Sequence, residues 1–159
     1  PLEIASEFAH RKGIDTQIHL HSPIYYRRVC EIRGIDIIGV ESASNPSYLD
    51  LIDKKDLEKS DKFLRIGVSR TDIFAMASDY NERHGVNVFK EKERMEKMIE
   101  EYETPSVIKK RLERAYSTFG ERIRYAGPDC GLGSWPTQEL AFKLLENTRK
   151  GIDSFRRDR

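Results

Sequence analysis

The chain has 159 residues, enough for one domain with a real core, and its 38% hydrophobic and 35% charged residues are typical of a globular protein. Its 28 basic residues against 27 acidic ones leave a net charge of +1, so no basic excess points to nucleic-acid binding. No apolar run in the sequence approaches the roughly 18 residues that a membrane span needs.

The chain contains two cysteines, Cys30 and Cys130, which are far apart in the sequence. Such a pair does not form the framework of a disulfide-stabilised domain, and the first residues do not have the pattern of a signal peptide. We therefore expect a reducing, cytoplasmic environment in which both thiols stay free.

Helical and strand patterns alternate along the chain. The predicted elements are a helix over residues 2–12, a strand over 14–21, a helix over 23–33, a strand over 35–40, helical turns over 48–52, a strand over 63–68, helices over 89–102 and 107–119, a strand over 122–125 and a helix over 137–155. The charged stretch over residues 54–62 predicts a solvated connection, and residues 73–85 are ambiguous. This alternation predicts an α/β fold with parallel strands.

Four units of this kind form either half of an eight-stranded (β/α)8 barrel or a small open sheet. In a barrel, the functional groups gather where the strands end. This rule selects four residues, one near the end of each predicted strand: His21, Glu41, Asp72 and Cys130. Their agreement in position is a stronger signal than any one of them alone.

Cys130 lies in the segment Gly127-Pro128-Asp129-Cys130-Gly131, directly after the last predicted strand. Glycine permits unusual backbone dihedrals and proline restricts one, so the segment forms a tight turn that presents the thiol. A thiolate held there suits a metal ligand or a nucleophile. The alternative is a small, buried cysteine in a turn.

His, Glu and Cys are all zinc ligands, with bonds of about 2.0–2.3 Å. Structural zinc sites draw on closely spaced ligands, whereas His21, Glu41 and Cys130 come from separate strands, as in a catalytic site with an open position. Such a position can accept a thiol and favour its deprotonated, nucleophilic form. The residues therefore predict a metal that activates a sulfur or oxygen nucleophile.

Alternative roles stay open for several residues. His19 shares a strand face with His21 and could replace it as a ligand or support it from behind. Asp72 could contact substrate or cap a turn. Cys30 could be a displaced fourth ligand or a thiol in the core.

Three segments resemble cobalamin-independent methionine synthase, over most of the chain and in the C-terminal part of that family's catalytic barrel. They are IHLH, the strand IDIIGVE, and GPDCGLGSWP followed by the helix segment LAFKLL. The resemblance implies a zinc ion held by His21, Glu41 and Cys130. It also implies methyl transfer to homocysteine from a methyltetrahydrofolate-type donor, giving methionine.

The sequence departs from the family pattern at two chemically important positions. Pro23 stands where the family has a second cysteine ligand, and Phe74 stands where the family has a histidine associated with proton delivery to the donor. These changes leave open a related barrel methyltransferase with another donor, such as a methylcorrinoid protein, or with another thiol acceptor.

The resemblance does not extend to the preceding half of the barrel, which these residues do not include. We expect either an excised part of a longer protein or a partner chain that completes the barrel. A half-barrel leaves two sheet edges exposed, so we expect self-association of the isolated chain. A catalytically degenerate half-barrel that acts as a binding module is the non-enzymatic alternative.

Overall fold

The computed structural model describes residues 2–159, except for the side chain of residue 92. Its strands are β1 (Gln17–Leu20), β2 (Ile37–Val40), β3 (Phe63–Ser69) and β4 (Ile123–Pro128). Its α-helices are α1 (Leu2–Arg11), α2 (Tyr26–Cys30), α3 (Lys54–Ser60), α4 (Ile73–His84), α5 (Lys92–Tyr102), α6 (Pro105–Phe119) and α7 (Gln138–Arg157). Short 3-10 helices cover Pro23–Tyr25, Pro46–Leu51, Val88–Lys90 and Gly120–Arg122. None of the helices in the described residues is long and apolar enough to cross a membrane.

The four strands form one parallel sheet in the order β1-β2-β3-β4. Alternate strand residues, including Ile38, Leu64 and Ile66, lie in the main core with Leu112 and Phe119 of α6. Because side chains alternate along a strand, the residues between them face the opposite side of the sheet. The prediction of an α/β fold with parallel strands is confirmed.

The sheet is curved strongly enough for residues beside its two edge strands to meet. Asp15, just before β1, accepts hydrogen bonds from Arg124 Nη1 at 2.9 Å and from Tyr125 Oη at 2.8 Å, both in β4. Since β1 and β4 are the two edges of the sheet, only a curved sheet lets one side chain connect them.

Helices α4 and α5, which lie between β3 and α6 in the sequence, form a second core with the start of α7. Its buried members include Met76, Met98, Ile99, Trp135 and Leu140. Trp135 also donates a hydrogen bond from Nε1 to the backbone oxygen of Thr71 at 3.1 Å. The indole therefore fastens the loop after Cys130 to the end of β3. The ambiguous segment 73–85 is resolved as helix α4, which ends at His84 and is capped by Gly85 with a positive φ of 63°.

The charged stretch over residues 54–62 is largely solvated, as predicted, but most of it is helix α3 rather than an irregular connection. Asp53 caps the helix by accepting a hydrogen bond from the Lys55 amide at 2.9 Å. Leu57 is fully buried, and Lys62 is only 4% exposed, with its ammonium donating to the Ile32 carbonyl. One apolar residue among so many charges gives no periodic signal, although it is enough to anchor a two-turn helix to the sheet.

The helices predicted over residues 107–119 and 137–155 are observed as α6 and α7, and each begins directly after a threonine that caps it. The Thr104 hydroxyl accepts from the Val107 amide, and the Thr137 hydroxyl accepts from the Leu140 amide. These bonds satisfy amides that have no partner within the first helical turn. The helix predicted over residues 23–33 is shorter than expected, with a 3-10 turn over Pro23–Tyr25 before α2.

Glu103, at the junction of α5 and α6, is a buried carboxylate with a full set of partners. It is 0% exposed and receives Arg111 Nη1 at 2.6 Å and Arg111 Nη2 at 2.9 Å. The backbone amide of Arg70 donates to it as well, at 3.1 Å. Burial raises the pKa of Glu103, while Arg111 acts in the opposite direction. This ion pair joins the two helices to the end of β3.

Candidate metal centre

The carboxyl ends of three strands bring four potential metal ligands together: His19, His21, Glu41 and Cys130. One ligand atom from each residue lies within 4.8 Å of the ligand atoms of the other three. The cluster contains three of the four residues that the strand-end rule selected, and it adds His19. Within the described residues, these side chains form the one group of this kind.

The two imidazoles point at the same oxygen of Glu41. His19 Nε2 lies 3.0 Å and His21 Nδ1 lies 2.7 Å from Glu41 Oε1. Their rings also meet edge to face, with centroids 4.9 Å apart. His19 belongs to β1 and His21 follows its end, so a spacing of two residues places both rings on one side of the strand.

The Glu41 carboxylate is held at the first position after β2, whose residues are all buried. Its side chain is 16% exposed, whereas the His21 side chain is 77% exposed. The carboxylate therefore lies on the buried side of the cluster, and His21 lies on its solvent-exposed side. A hydrogen bond from an imidazole to the Glu41 carboxylate requires a protonated ring nitrogen, whereas a metal would be bound by a ring nitrogen with a free lone pair.

Cys130 reaches the cluster from the turn that follows β4, and its residue is exposed. The turn is secured by its neighbour Asp129, which is 1% exposed and accepts hydrogen bonds from the backbone amides of Ala43 and Ser44. Burial raises the pKa of Asp129, and the hydrogen bonds from Ala43 and Ser44 oppose this rise. The thiol is thus presented to solvent from a turn that is itself anchored in the interior.

Arg65 supports the same turn from within the sheet. Its guanidinium donates to the backbone oxygen of Asp129 at 3.1 Å and also to that of Pro128. Burial lowers the pKa of Arg65, while the nearby acidic groups Asp129, Cys130 and Glu41 act in the opposite direction. An arginine in the otherwise apolar strand FLRIGV was the sequence signal for this role, and sequence reasoning did not use it.

The donor set fits a zinc ion. Two imidazoles, a carboxylate and a thiolate are all ligands that zinc accepts. A tetrahedral ion with bonds of about 2.0–2.3 Å separates its ligand atoms by roughly 3.3–3.8 Å. Because the four atoms already lie within 4.8 Å of one another, a movement of about 1 Å per pair would bring them to that spacing, within the reach of side-chain rotation.

The cluster opens into a shallow cleft of about 340 Å³, lined by residues of β1, β3 and the turn after β4. The lining residues are Gln17, His19, Arg65, Asp129, Cys130 and Gly131. A small molecule can therefore approach the cluster from this cleft. With all four side chains bound, a tetrahedral ion would have no free position, so an incoming ligand would have to replace one of the four or bind as a fifth.

Two other sequence candidates lie outside the cluster. Asp72 follows β3, and its carboxylate receives a two-pronged contact from Arg70, at 2.9 and 2.7 Å, and the Ser44 hydroxyl at 3.1 Å. Its predicted contact with substrate stays a prediction. Cys30 is half-buried in α2, beside Ser60, and burial raises the pKa of its thiol. Cys30 is not the fourth member of the cluster; His19 is.

Comparisons with protein-family models, with curated proteins and with solved structures give no match to this chain.

Proposed function

We propose that the protein transfers a methyl group to a thiol, most simply from a methyltetrahydrofolate-type donor to homocysteine. The single observation that carries this proposal is the convergence of His19, His21, Glu41 and Cys130 within 4.8 Å. The sequence resemblance to cobalamin-independent methionine synthase supplies the reaction class. The proposed ligands are His21, Glu41 and Cys130, with His19 in the role that a second cysteine has in that family.

A zinc ion bound by these side chains would supply a Lewis acid that favours the thiolate form of an acceptor thiol. The protein's own contribution is to hold four ligand atoms at an open edge of the sheet. Cys130 is exposed and lines the cleft together with His19, so an acceptor sulfur could approach the ion from that side. The ligand atoms are therefore held by the fold and remain accessible to a small acceptor molecule.

The transfer itself needs a proton balance that the chain's residues must meet. The acceptor sulfur loses its proton and forms a bond to the methyl carbon as the bond from that carbon to the donor breaks. The electron pair of the broken bond stays on the donor, which for a folate nitrogen then takes up a proton. Phe74 cannot supply that proton, and its ring is 64% exposed beside Phe89.

A donor that needs no proton after its methyl group has been transferred would remove this requirement. The presence of Phe74 favours such a donor. A methylcorrinoid protein is such a donor, because the corrinoid metal retains the electron pair. Asp72, whose side chain is 36% exposed but paired with Arg70, is the acidic residue that we propose for contact with a donor bound at the end of β3.

The experiment supplies the zinc-loaded protein, in its native assembly, with homocysteine and each methyl donor in turn. We expect methionine from one of the donors, measured by mass spectrometry, and its loss in a Cys130→Ala variant. Zinc binding without methyl transfer to any thiol would overturn the enzymatic proposal and favour a binding module. The absence of zinc binding in the native protein would remove the metal centre as well.

We further propose that the four-stranded sheet is half of a (β/α)8 barrel that a second unit completes. The curvature shown by the contacts of Asp15 with β4 supports this arrangement. Exposed apolar side chains are present as well: Ile4 and Phe8 of α1 are 80% and 68% exposed, and Tyr125 of the edge strand β4 is 48% exposed. Both free thiols suit a reducing cytoplasm.

The isolated chain is expected to self-associate, because its edge strands present unpaired backbone groups and α1 and β4 carry exposed apolar side chains. Analytical ultracentrifugation should detect species of at least twice the 18.5 kDa chain mass. Phe8→Asp should shift the distribution towards monomer, whereas Phe142→Asp, at a position 69% exposed on α7, should leave it unchanged. A sharp monomer at high concentration would contradict this expectation.

A further inference from the structure

Asp129 connects two of the ligand-bearing turns through one buried side chain. Its Oδ1 accepts from the Ala43 amide at 2.9 Å, and its Oδ2 accepts from the Ser44 amide at 2.7 Å. Asp129 directly precedes Cys130, and Ala43 lies two residues after Glu41. We refer to the Asp129 carboxylate and these two amides as the Asp129 latch.

The latch joins strands that are not neighbours, since β3 lies between β2 and β4. Space for this crossing exists because residue 67 of β3 is glycine. A Cβ at Gly67 would lie 1.8 Å from Asp129 Oδ1 and 2.9 Å from its Cγ, so any other residue at this position would displace the carboxylate. The absence of a side chain at Gly67 is therefore a condition for the carboxylate to reach the Ala43 and Ser44 amides.

The Cys130 turn is also fixed from other directions. The Asp129 amide donates to the Ser69 backbone oxygen at 2.8 Å, and Arg65 donates to the backbone oxygens of Pro128 and Asp129. Each buried group is satisfied by a partner on a neighbouring strand, so little freedom remains in the turn. None of these bonds requires a metal.

The histidine side of the cluster has no comparable support. His19 and His21 belong to an edge strand and to the residue after it, and His21 is largely exposed. Across the described part of the chain, the hydrogen bonds of both imidazoles run to Glu41. Hydrogen bonds with the backbone thus hold the Glu41–Cys130 side of the cluster. The histidine side is held through the hydrogen bonds of its own imidazoles to Glu41.

We propose that Asp129 is a positioning residue that sets the separation of Glu41 and Cys130 before a metal binds. This inference rests on the proposed metal centre. Metal binding then orders the His19–His21 side of the cluster and leaves the Glu41–Cys130 side unchanged. A buried carboxylate that orients ligands in this way contributes to metal affinity without touching the ion.

Hydrogen exchange of the full chain, with and without zinc, tests this division. We expect the Ala43 and Ser44 amides to be protected in the metal-free protein and unchanged by zinc. The amides of residues 19–22 should gain protection when zinc binds. Free exchange at Ala43 and Ser44 in the metal-free protein, with protection only after zinc is added, would overturn the proposal.

An Asp129→Asn variant provides the second test, because it keeps the shape of the side chain and replaces one acceptor oxygen with a donor. Its zinc affinity should fall by about 10- to 100-fold, the usual effect of losing a group that orients ligands. Its Co²⁺ spectrum should still show a thiolate charge-transfer band, because Cys130 remains.

Glu103→Gln is the matched control, since Glu103 is also a buried carboxylate that accepts a backbone amide but lies outside the cluster. It should lower stability and leave zinc affinity unchanged. A folded Asp129→Asn protein with wild-type zinc affinity would overturn the positioning role of Asp129 and leave the proposed metal centre intact. A wild-type protein that binds no zinc would instead refute the metal centre, and if the variant does not fold, the exchange experiment decides.

Discussion

Replacing Cys130 with alanine is expected to lower the zinc affinity of the protein by about 100-fold or more and to abolish thiol methylation. Cys130 is the one thiolate donor in the cluster of His19, His21, Glu41 and Cys130. Its loss removes a ligand, which costs more than the 10- to 100-fold effect of removing a supporting residue. Competition titration with a chromophoric chelator measures the affinity.

Cys30→Ala is the matched control for this prediction, because the chain has just two cysteines and Cys30 lies in α2, away from the cluster. It should retain wild-type zinc affinity. With Co²⁺ in place of zinc, the thiolate charge-transfer band should survive in Cys30→Ala and disappear in Cys130→Ala. Equal zinc binding by both variants would show that Cys130 is not a ligand.

The same titration assigns the histidines. If His19 provides the fourth ligand, His19→Ala and His21→Ala should both weaken zinc binding, whereas His10→Ala should not. His10 is exposed and lies 3.0 Å from Asp36, outside the cluster. A His19→Ala protein with unchanged affinity would assign to His19 no more than a supporting role.

Replacing Arg111 with methionine is expected to lower the free energy of unfolding by about 3–5 kcal/mol at neutral pH, the usual cost of leaving one partner of a buried ion pair alone. Arg111 donates two hydrogen bonds to Glu103, which is 0% exposed, and a third to the Val68 backbone oxygen. The methionine side chain replaces much of the apolar stem but none of these bonds. Urea denaturation measures the change.

The decrease in the free energy of unfolding caused by Arg111→Met should depend on pH, and its direction follows from the pKa of Glu103. Burial already raises the pKa of Glu103, and Arg111 opposes that rise, so the variant should raise it further. A carboxyl group with a raised folded-state pKa favours the folded state below its unfolded pKa of about 4.3 and loses that contribution as pH rises through the folded value. The variant should therefore be close to wild type in acid and weakest at neutral pH.

Arg149→Met is the control for the Arg111 experiment. Arg149 forms an exposed pair with Asp153 at 2.6 Å on α7, and such surface pairs contribute about 0–1 kcal/mol. A similar small loss for Arg111→Met at neutral pH, with the fold intact, would show that the Glu103 pair is not a major source of stability.

Much of the fold follows from local patterns. The four strands, their parallel arrangement and the helix starts at Thr104 and Thr137 were all within reach of periodicity and capping chemistry. The failure to predict a helix over residues 54–62 has a physical reason. Helix α3 depends on the burial of Leu57 against the sheet, and one apolar residue in a charged stretch has no detectable period.

The candidate site, like the fold, could be predicted only in part from the sequence. Strand-end position and ligand chemistry were sufficient to select His21, Glu41 and Cys130. They could not rank His19 above Cys30 as the fourth member, because both offer a donor atom and the sequence carries no distances. The structure brings His19 to 3.0 Å from Glu41, whereas Cys30 lies on a helix outside the cluster.

The sequence by itself determined which residue types stand at the strand ends, because alternation and turn chemistry are local properties of the chain. Only the tertiary structure decided how those ends are held together. Asp129 reaches the amides after Glu41 across a strand in which Gly67 leaves room, and Arg65 supports the same turn from below. These contacts join residues far apart in the chain, and their formation depends on the curvature and register of the assembled sheet.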